Sequence, residues 1–187
     1  MIIGITGTDG AGKGAVVDYL VAQKGFTHYS GRAWFLEIIA ARGLEPSRAN
    51  MRLVANEIRR DGGNDAIVVE YLKRASVAGQ TDVIIESIRA TAEAETLKKA
   101  GGILLAVDAD QHIRYERIQA RQSSSDQVTF AAFIEHEAIE MNDPDPNGMQ
   151  KAKVMEMADY TIMNEGTLEE LQQKIEDVLT QIEDNKN

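Results

Sequence analysis

Short apolar runs alternate along the chain with longer segments in which apolar residues recur every three or four positions. Four runs are continuous, as in strands buried on both faces of a sheet, and a shorter run follows the first helical segment. The five predicted strands are Met1–Thr6, Thr27–Ser30, Asp82–Glu86, Ile103–Asp108 and Tyr160–Met163. Helical spacing predicts helices over 13–23, 32–42, 47–60, 65–78, 91–100, 110–121, 129–140, 148–157 and 167–183. Alternating strands and helices predict an α/β fold with a parallel sheet.

Two connections are longer than such a sheet needs. Residues 31–81 contain three predicted helices, and residues 122–158 contain two more around the sequence DPDPNG. Extra helical segments beside a sheet of this kind are where substrate clamps and lids usually lie. The length of 187 residues, 43% of them apolar, fits one domain covering 1–187.

Charge and composition exclude several classes of protein. The net charge is −10, the excess of acid lies in residues 135–187, and all eleven arginines lie at or before Arg121. An acidic chain without a basic tail is a poor ligand for nucleic acid or an anionic membrane. The chain has no cysteine, which excludes disulfides and thiolate zinc sites. With no secretory signal and no long apolar run, we expect a cytoplasmic protein.

The sequence Gly7–Lys13, GTDGAGK, matches the phosphate-binding pattern G-x-x-x-x-G-K (Walker A) between a predicted strand and a predicted helix. Glycines let backbone N–H groups curl around phosphate oxygens, and the lysine reaches the transferred phosphoryl group. The alternative is an ordinary glycine-rich turn. The expected residues for binding ATP here are Thr8, Asp9, Gly10, Ala11, Gly12, Lys13, Gly14 and Ala15.

The residue after Lys13 is glycine, where the pattern usually has a hydroxyl that binds Mg²⁺. We therefore expect Mg²⁺ to be held by nucleotide phosphates, water and nearby carboxylates, since this ion keeps several waters. Asp9 and Glu86 are the candidates, both acting through water.

With SGR at 30–32 and RYERIQAR at 114–121, the GKG loop resembles the nucleoside monophosphate kinases of the adenylate kinase type. The chain is more closely similar to small P-loop kinases related to archaeal adenylate kinase-like proteins and to dephospho-CoA kinase. The shared stretches are TGTDGAGKG, VIIESIR, AVDADQHIRYERI and ADYTIMNEGTLEEL. The resemblance implies a three-layer P-loop NTPase fold with a five-stranded parallel sheet, a helical acceptor-binding excursion at about 31–81 and a helical lid at about 122–158.

The resemblance also implies roles for individual residues. Arg89 corresponds to the arginine that holds an acceptor monophosphate, and Arg32 to the mouth of the acceptor site. Arg117 and Arg121 match arginines at the base of the lid that contact donor phosphates and the transferring group. Asn164 and Gly166 match the region that holds the donor adenine. For these arginines the alternative is a solvated surface position, because charged helix faces usually are solvated.

Within 122–158 the only cations are Lys151 and Lys153, whereas adenylate kinases carry further arginines in the lid. We therefore expect either a lid that closes more weakly than in those kinases or one of these lysines as an imperfect substitute for an arginine, acting as a point charge.

Other polar residues have two readings each. Asp108 ends a strand near the expected site, and Asp110 is better explained as a helix cap. Trp34, beside Phe35, is a candidate either for stacking on a base or for the core. His28, His112 and His136 have no metal-site spacing and are expected to be structural or on the surface.

The leading hypothesis is ATP-dependent phosphoryl transfer to a small nucleotide, a (deoxy)nucleoside monophosphate, with Lys13, Asp9, Arg89, Arg117 and Arg121 as catalytic residues. The acceptor would be bound by Arg32, Trp34, Glu86 and Arg89. One alternative is a dephospho-CoA kinase-like transfer to a sugar hydroxyl, in which Asp9 acts as a base. Another is a nucleotide-binding ATPase or switch without an acceptor. The expected partner is a small molecule, and the oligomeric state is left open.

Overall fold

The computed structural model describes residues 1–121, 128–144 and 148–185. Within these ranges five strands form one sheet in the order β2-β3-β1-β4-β5, and every pairing is parallel. The strands are β1 (Ile2–Gly7), β2 (Thr27–Ser30), β3 (Val83–Glu86), β4 (Ile103–Asp108) and β5 (Tyr160–Met163). The predicted α/β class with a five-stranded parallel sheet is confirmed. Since strands of a parallel sheet point the same way, the segments that follow β1, β3 and β4 meet at one edge.

The described residues also form nine helices, and the helices complete three layers. Helices α1 (Lys13–Lys24) and α9 (Leu168–Asp184) cover one face of the sheet. Helices α3 (Arg48–Gly62), α4 (Ala66–Val77), α5 (Thr91–Lys99) and α8 (Lys151–Glu156) cover the other. The remaining helices are α2 (Gly31–Ala41), α6 (Gln111–Ala120) and α7 (Phe130–Met141).

Alternation of side chains along each strand explains why the core has two halves. Ile84 lies in the half under α1 and α9, and its neighbour Ile85 lies in the opposite half. Leu105 and Leu104 divide in the same way. Strands with both faces buried must be apolar at every position, which is the continuous pattern seen in the sequence.

Most predicted elements lie within one or two residues of those observed, but the helix predicted over 148–157 is wrong at its start. It begins only at Lys151. The preceding backbone bonds to other segments instead of forming a helical turn: Asp143 N–H donates to Met149 O (2.9 Å) and Gln150 N–H donates to Arg89 O (2.8 Å).

The predicted helix cap at Asp110 is confirmed, because its carboxylate accepts hydrogen bonds from the first N–H groups of α6. Thr167 and Glu170 form a capping box at the start of α9.

The two long connections contain the predicted helices. Helices α2, α3 and α4 lie within 31–81, and α7 and α8 lie within 122–158, of which 122–127 and 145–147 are outside the described residues. In the part of the chain that the structure describes, no helix is both long enough and apolar enough to cross a membrane.

Candidate phosphate-binding site

The loop between β1 and α1 depends on glycine at two tight positions. Gly10 and Gly12 have φ angles of 84° and 98°, a conformation that residues with a side chain rarely adopt. A Cβ atom on Gly10 would lie 2.5 Å from the carbonyl oxygen of Arg114, and one on Gly12 would lie 2.3 Å from the amide nitrogen of Asn164. The loop is therefore packed tightly against α6 and the segment after β5.

Lys13 lies at the first position of α1 and turns back into this loop. Its ammonium group donates hydrogen bonds to the carbonyl oxygens of Gly7 (3.1 Å) and Thr8 (2.6 Å) and lies 3.7 Å from Asp9 Oδ1. The pKa of Lys13 is lowered to about 8, mainly by burial; the charges of Lys151 and Arg89 act in the same direction, and the charges of Asp9 and Glu86 oppose them. An ammonium held in this way favours an additional anionic partner.

Asp9 is the carboxylate around which the cations gather. Its Oδ1 atom accepts a hydrogen bond from the ammonium group of Lys151 at 3.2 Å. Burial alone would raise the pKa of Asp9, but the charges of Lys151, Lys13 and Arg89 hold it well below its usual range. Asp9 is therefore ionised and is a weak base in this arrangement.

Helix α7 supplies carboxylates to two buried cations beside the loop. Lys151, 4% exposed, is paired with Glu140 as well as with Asp9. Arg114, 5% exposed, is paired with Glu137, and its guanidinium also donates to the carbonyl oxygens of Ala109 (2.9 Å) and Asp9 (3.3 Å). A cavity of about 70 Å³ lies between the loop and α7.

The opposite side of the loop, at the end of β3, carries Glu86 and Arg89. The Glu86 carboxylate is hydrogen-bonded to His28 Nε2 at 3.1 Å. This bond lowers the pKa of Glu86, and burial opposes it. The charges of His28, Lys13 and Arg89 lower the pKa further. Arg89 is half-buried, and its Nη1 atom lies 3.5 Å from Met149 Sδ. The structure thus brings Lys13, Asp9, Glu86 and Arg89 together.

Asn164 connects the loop to β4 and α6. Its side-chain amide donates to Ala11 O (2.7 Å), its backbone N–H donates to Asp108 O (2.7 Å), and its carbonyl accepts from Arg117 (2.8 Å). Asp108 in turn accepts a hydrogen bond from the hydroxyl of Thr8 at 2.5 Å. Asn164 and Asp108 therefore fix the shape of the loop.

Several predicted site residues have other surroundings in the structure. Arg32 is exposed, with Nη1 3.6 Å from Met51 Sδ, and Arg121 is exposed at the end of α6. Trp34 packs edge-on against Tyr71 with ring centroids 5.6 Å apart and lies under the guanidinium of Arg74. Gly166 lies directly beside the carboxylate of Glu170.

The donor set suits a hydrated Mg²⁺ better than a fully protein-bound metal. No group of three or more His, Asp or Glu side chains converges among the described residues. The Thr8 hydroxyl is bonded to Asp108, and Gly14 offers none. The carboxylates of Asp9 and Glu86 remain as partners for water molecules around a phosphate-bound ion, which fits the coordination habits of Mg²⁺.

Sequence reasoning missed the positions of Arg114, Arg59 and Glu93. Arg114 belongs to a segment rich in charged residues, yet it is buried with Ile118, four residues later. Arg59 and Glu93 form a buried ion pair below Arg89. The one available signal was the position of Glu93 in the first turn of a helix, where a glutamate often binds backbone N–H groups.

Comparisons with known proteins identify the family of the chain and its fold. The family model described as AAA domain matches residues 3–143. A UPF0200 protein of Pyrobaculum aerophilum is 30% identical over 97% of this chain and 98% of its own length, and one of Pyrococcus horikoshii is 29% identical over 99% of both. A UPF0200/UPF0201 protein of Archaeoglobus fulgidus is 34% identical, but this chain spans only 46% of its length.

Solved structures with the same fold include kinases. A shikimate kinase of Aquifex aeolicus superposes with a TM-score of 0.55 at 18% identity, covering 100% of this chain and 98% of that one. A gluconokinase of Sinorhizobium meliloti superposes with a TM-score of 0.61 at 14% identity, covering 98% and 93%. At these identities the likeness concerns the fold, which is that of P-loop kinases.

Proposed function

The chain belongs to the AAA domain family and to the UPF0200 proteins, and from that premise we propose that it is an ATP-dependent kinase of a small nucleotide. The donor would be ATP with Mg²⁺, and the acceptor a (deoxy)nucleoside monophosphate. The observation that carries the proposal is that three cations from distant parts of the chain act on the Asp9 carboxylate in the phosphate loop. These cations are Lys13, Arg89 and Lys151. Phosphoryl transfer needs such an arrangement, because catalysis consists mainly of positioning and of neutralising phosphate charge.

In this proposal, one side of the loop binds the donor and the other side binds the acceptor. Lys13 and the loop N–H groups would bind the donor phosphates, with Arg117 and the segment containing Asn164 and Gly166 nearby. Arg89 would hold the phosphate of the acceptor, and Lys151 would take the place of a lid arginine. Bound Mg²⁺ would neutralise charge on the donor phosphates.

A phosphate acceptor suits the site better than a hydroxyl acceptor. A hydroxyl needs a proton acceptor, and Asp9 is the carboxylate nearest to the loop. Because Lys151, Lys13 and Arg89 hold the pKa of Asp9 far below its usual range, Asp9 takes up a proton poorly. A phosphate acceptor is already ionised and needs no base.

The test is a panel of acceptors incubated with ATP and Mg²⁺. Each common nucleoside and deoxynucleoside monophosphate, dephospho-CoA and water alone are compared by following ADP and the phosphorylated product. Equimolar ADP and nucleoside diphosphate support the proposal. Transfer to dephospho-CoA alone would favour the alternative of a hydroxyl acceptor. ADP formed only with water would favour the alternative of an ATPase.

Two lysine variants make the panel specific. Lys13→Ala should abolish transfer, since its ammonium group lies within the loop. Lys174→Ala is the matched control, because Lys174 also donates to a backbone carbonyl, that of Met163, but on the exposed side of α9. Near-normal turnover by Lys13→Ala would overturn the kinase proposal.

A further inference from the structure

A buried ion pair lies directly beneath the proposed acceptor arginine. Arg59 on α3 and Glu93 on α5 are 3% and 1% exposed. The Nε and Nη2 atoms of Arg59 both donate to Glu93 Oε1, at 3.0 and 2.9 Å. Burying two charges removes them from water at a cost that their attraction often only balances, so the pair is a poor explanation for stability alone.

The second carboxylate oxygen of Glu93 binds backbone groups instead of Arg59. Oε2 accepts hydrogen bonds from the backbone N–H groups of Arg89 (2.8 Å) and Ala90 (3.0 Å). One carboxylate therefore joins a helix of the 31–81 connection to the backbone of Arg89. The orientation of the pair is fixed, because each oxygen is already committed to two donors.

The backbone of Arg89 is held from its other side as well. Its carbonyl oxygen accepts from the N–H group of Gln150, just before α8. Two residues earlier, Ser87 has a φ of 70°, an uncommon conformation for a residue other than glycine. Such a conformation persists where the surroundings determine it, and it recurs at functional sites. The Arg89 side chain is thus mounted on a fixed piece of backbone.

We propose that Arg59 and Glu93 are positioning residues for the acceptor clamp: the pair fixes the backbone of Arg89 relative to α3 and thereby sets the affinity for the acceptor. This inference rests on the proposed role of Arg89 in binding an acceptor phosphate. Neither Arg59 nor Glu93 touches the acceptor. A misplaced clamp weakens acceptor binding and leaves donor binding intact, since the hydrogen bonds of Lys13 stay within its own loop and those of this pair lead to Arg89 and Ala90.

Two double variants separate positioning from simple support of the fold. Both Arg59→Met with Glu93→Gln and Arg59→Met with Glu93→Met remove the charges together, which avoids leaving one charge buried alone. They differ in one respect, because the glutamine amide oxygen still accepts from the Arg89 and Ala90 N–H groups and the methionine does not. A matched control is Lys98→Met with Asp159→Met, which removes an ion pair (2.7 Å) and an acceptor for the Leu104 N–H group at the other end of α5.

Kinetics and hydrogen exchange are both measured. AMP, CMP, GMP and UMP are each varied at saturating ATP and Mg²⁺, and ATP is varied at saturating acceptor. The methionine pair should raise the acceptor KM about tenfold or more, as small misplacements of a binding group do, with the ATP KM unchanged. The glutamine-containing pair should raise the acceptor KM by a smaller factor. The control pair should lower the free energy of unfolding without a change in either KM.

Amide exchange tests the same claim without a substrate. The N–H groups of Arg89 and Ala90 should exchange faster in the methionine pair than in the glutamine-containing pair. Equal acceptor KM values and equal exchange in the two pairs and the wild type would overturn the positioning role. Absence of transfer to any nucleoside or deoxynucleoside monophosphate by the wild type would instead overturn the proposed function, and the exchange result alone would then decide whether the pair fixes Arg89. If a double variant does not fold, Arg59→Lys serves in its place.

Discussion

At the scale of single residues, Lys13 shows how the loop is prepared for an anion. The ammonium group occupies the inside of its own loop, bonded to carbonyl oxygens that have only partial negative charge. Its pKa is lowered to about 8, mainly by burial, although the Asp9 carboxylate lies 3.7 Å away, so its charge is only partly compensated without a ligand. Phosphate oxygens would compensate it fully, because an adjacent negative charge favours the protonated form.

Binding of ATP at pH 8 should therefore take up protons. About half of the Lys13 side chains are neutral at that pH in the free protein, and phosphate would raise the pKa and return them to the charged form. Calorimetric titrations in buffers of different ionisation enthalpy measure the uptake. Lys13→Arg, which stays charged, is the control. An equal uptake by Lys13→Arg would assign the proton to another group.

The same shift in pKa makes the stability of the free protein depend on pH. The folded-state value of about 8 lies below the usual value of 10.5, so the unfolded chain binds more protons between these limits. The contribution of Lys13 to the free energy of unfolding therefore rises with pH from about 8 to about 10.

Variants of the two arginines proposed for the acceptor and the lid should lose activity in different ways. Arg89→Ala should raise the acceptor KM and leave the ATP KM unchanged, whereas Arg121→Ala should mainly lower kcat, because the exposed Arg121 would engage only when the lid closes. A charge-assisted hydrogen bond is worth about 1.5–3 kcal/mol, which corresponds to about 10- to 150-fold. Steady-state kinetics with each substrate varied in turn measures both. An increase confined to the ATP KM in both variants would place both arginines in the donor site.

At the scale of elements, the junction of the loop and α1 contains two glycines with opposite requirements. Gly12 faces the amide of Asn164 and has a positive φ angle. Gly14, in the first turn of α1, has open space where a side chain would begin. The difference lies in packing and backbone conformation, which the repeated letter G in the sequence does not reveal.

Replacement of each glycine by alanine should separate these roles. Gly12→Ala should lower the free energy of unfolding by about 1–2 kcal/mol from backbone strain alone, with a further loss as the Asn164 side chain leaves Ala11. Gly14→Ala should raise it slightly, since alanine is a better helix former. Urea denaturation compares the two. Equal losses would mean that Gly14 is also constrained.

Gly14→Ser addresses the metal. The hydroxyl has room, and it restores the residue type that binds Mg²⁺ directly in other phosphate loops. We expect transfer activity to be retained or slightly raised, measured over a range of Mg²⁺ concentrations. Loss of ATP binding would show instead that the bare backbone at Gly14 is needed next to the phosphates.

The sequence predicts elements well where the physical signal is local. Continuous apolar runs such as Ile103–Asp108 and cap residues such as Asp110 depend on neighbours in the chain, and these predictions are confirmed. The start of α8 depends on Arg89, about sixty residues away, and was predicted wrongly. The Arg59–Glu93 pair joins two helices whose charges look ordinary in sequence, so only the fold reveals that it is buried.

At the scale of the whole molecule, the sheet order gathers the candidate site. β1 lies at the centre between β3 and β4, so the phosphate loop is flanked by Glu86 on one side and Asp108 on the other. The sequence predicted which residues follow strand ends. It did not predict that the carboxylates of α7 would pair with Arg114 and Lys151, because that contact depends on how α7 lies against the loop.

Ligands at this edge should stabilise the entire fold. Binding at 100 times Kd adds about 2.7 kcal/mol, which for a domain of this size raises Tm by about 5–11 °C. A thermal shift with ATP and Mg²⁺ measures it, with Lys13→Ala as the control that should show little shift. A shift of the same size in Lys13→Ala would place the nucleotide outside the loop.

The central position of β1 also has a consequence for the order in which the chain folds during synthesis. Ile3 leaves the ribosome about 80 residues before its partner Ile84 and about 100 residues before its partner Ile103. At about 5–20 residues per second, an apolar strand waits several seconds with both edges bare. Such edges pair readily with other chains. Nascent chains that end before β4 should therefore be prone to aggregation.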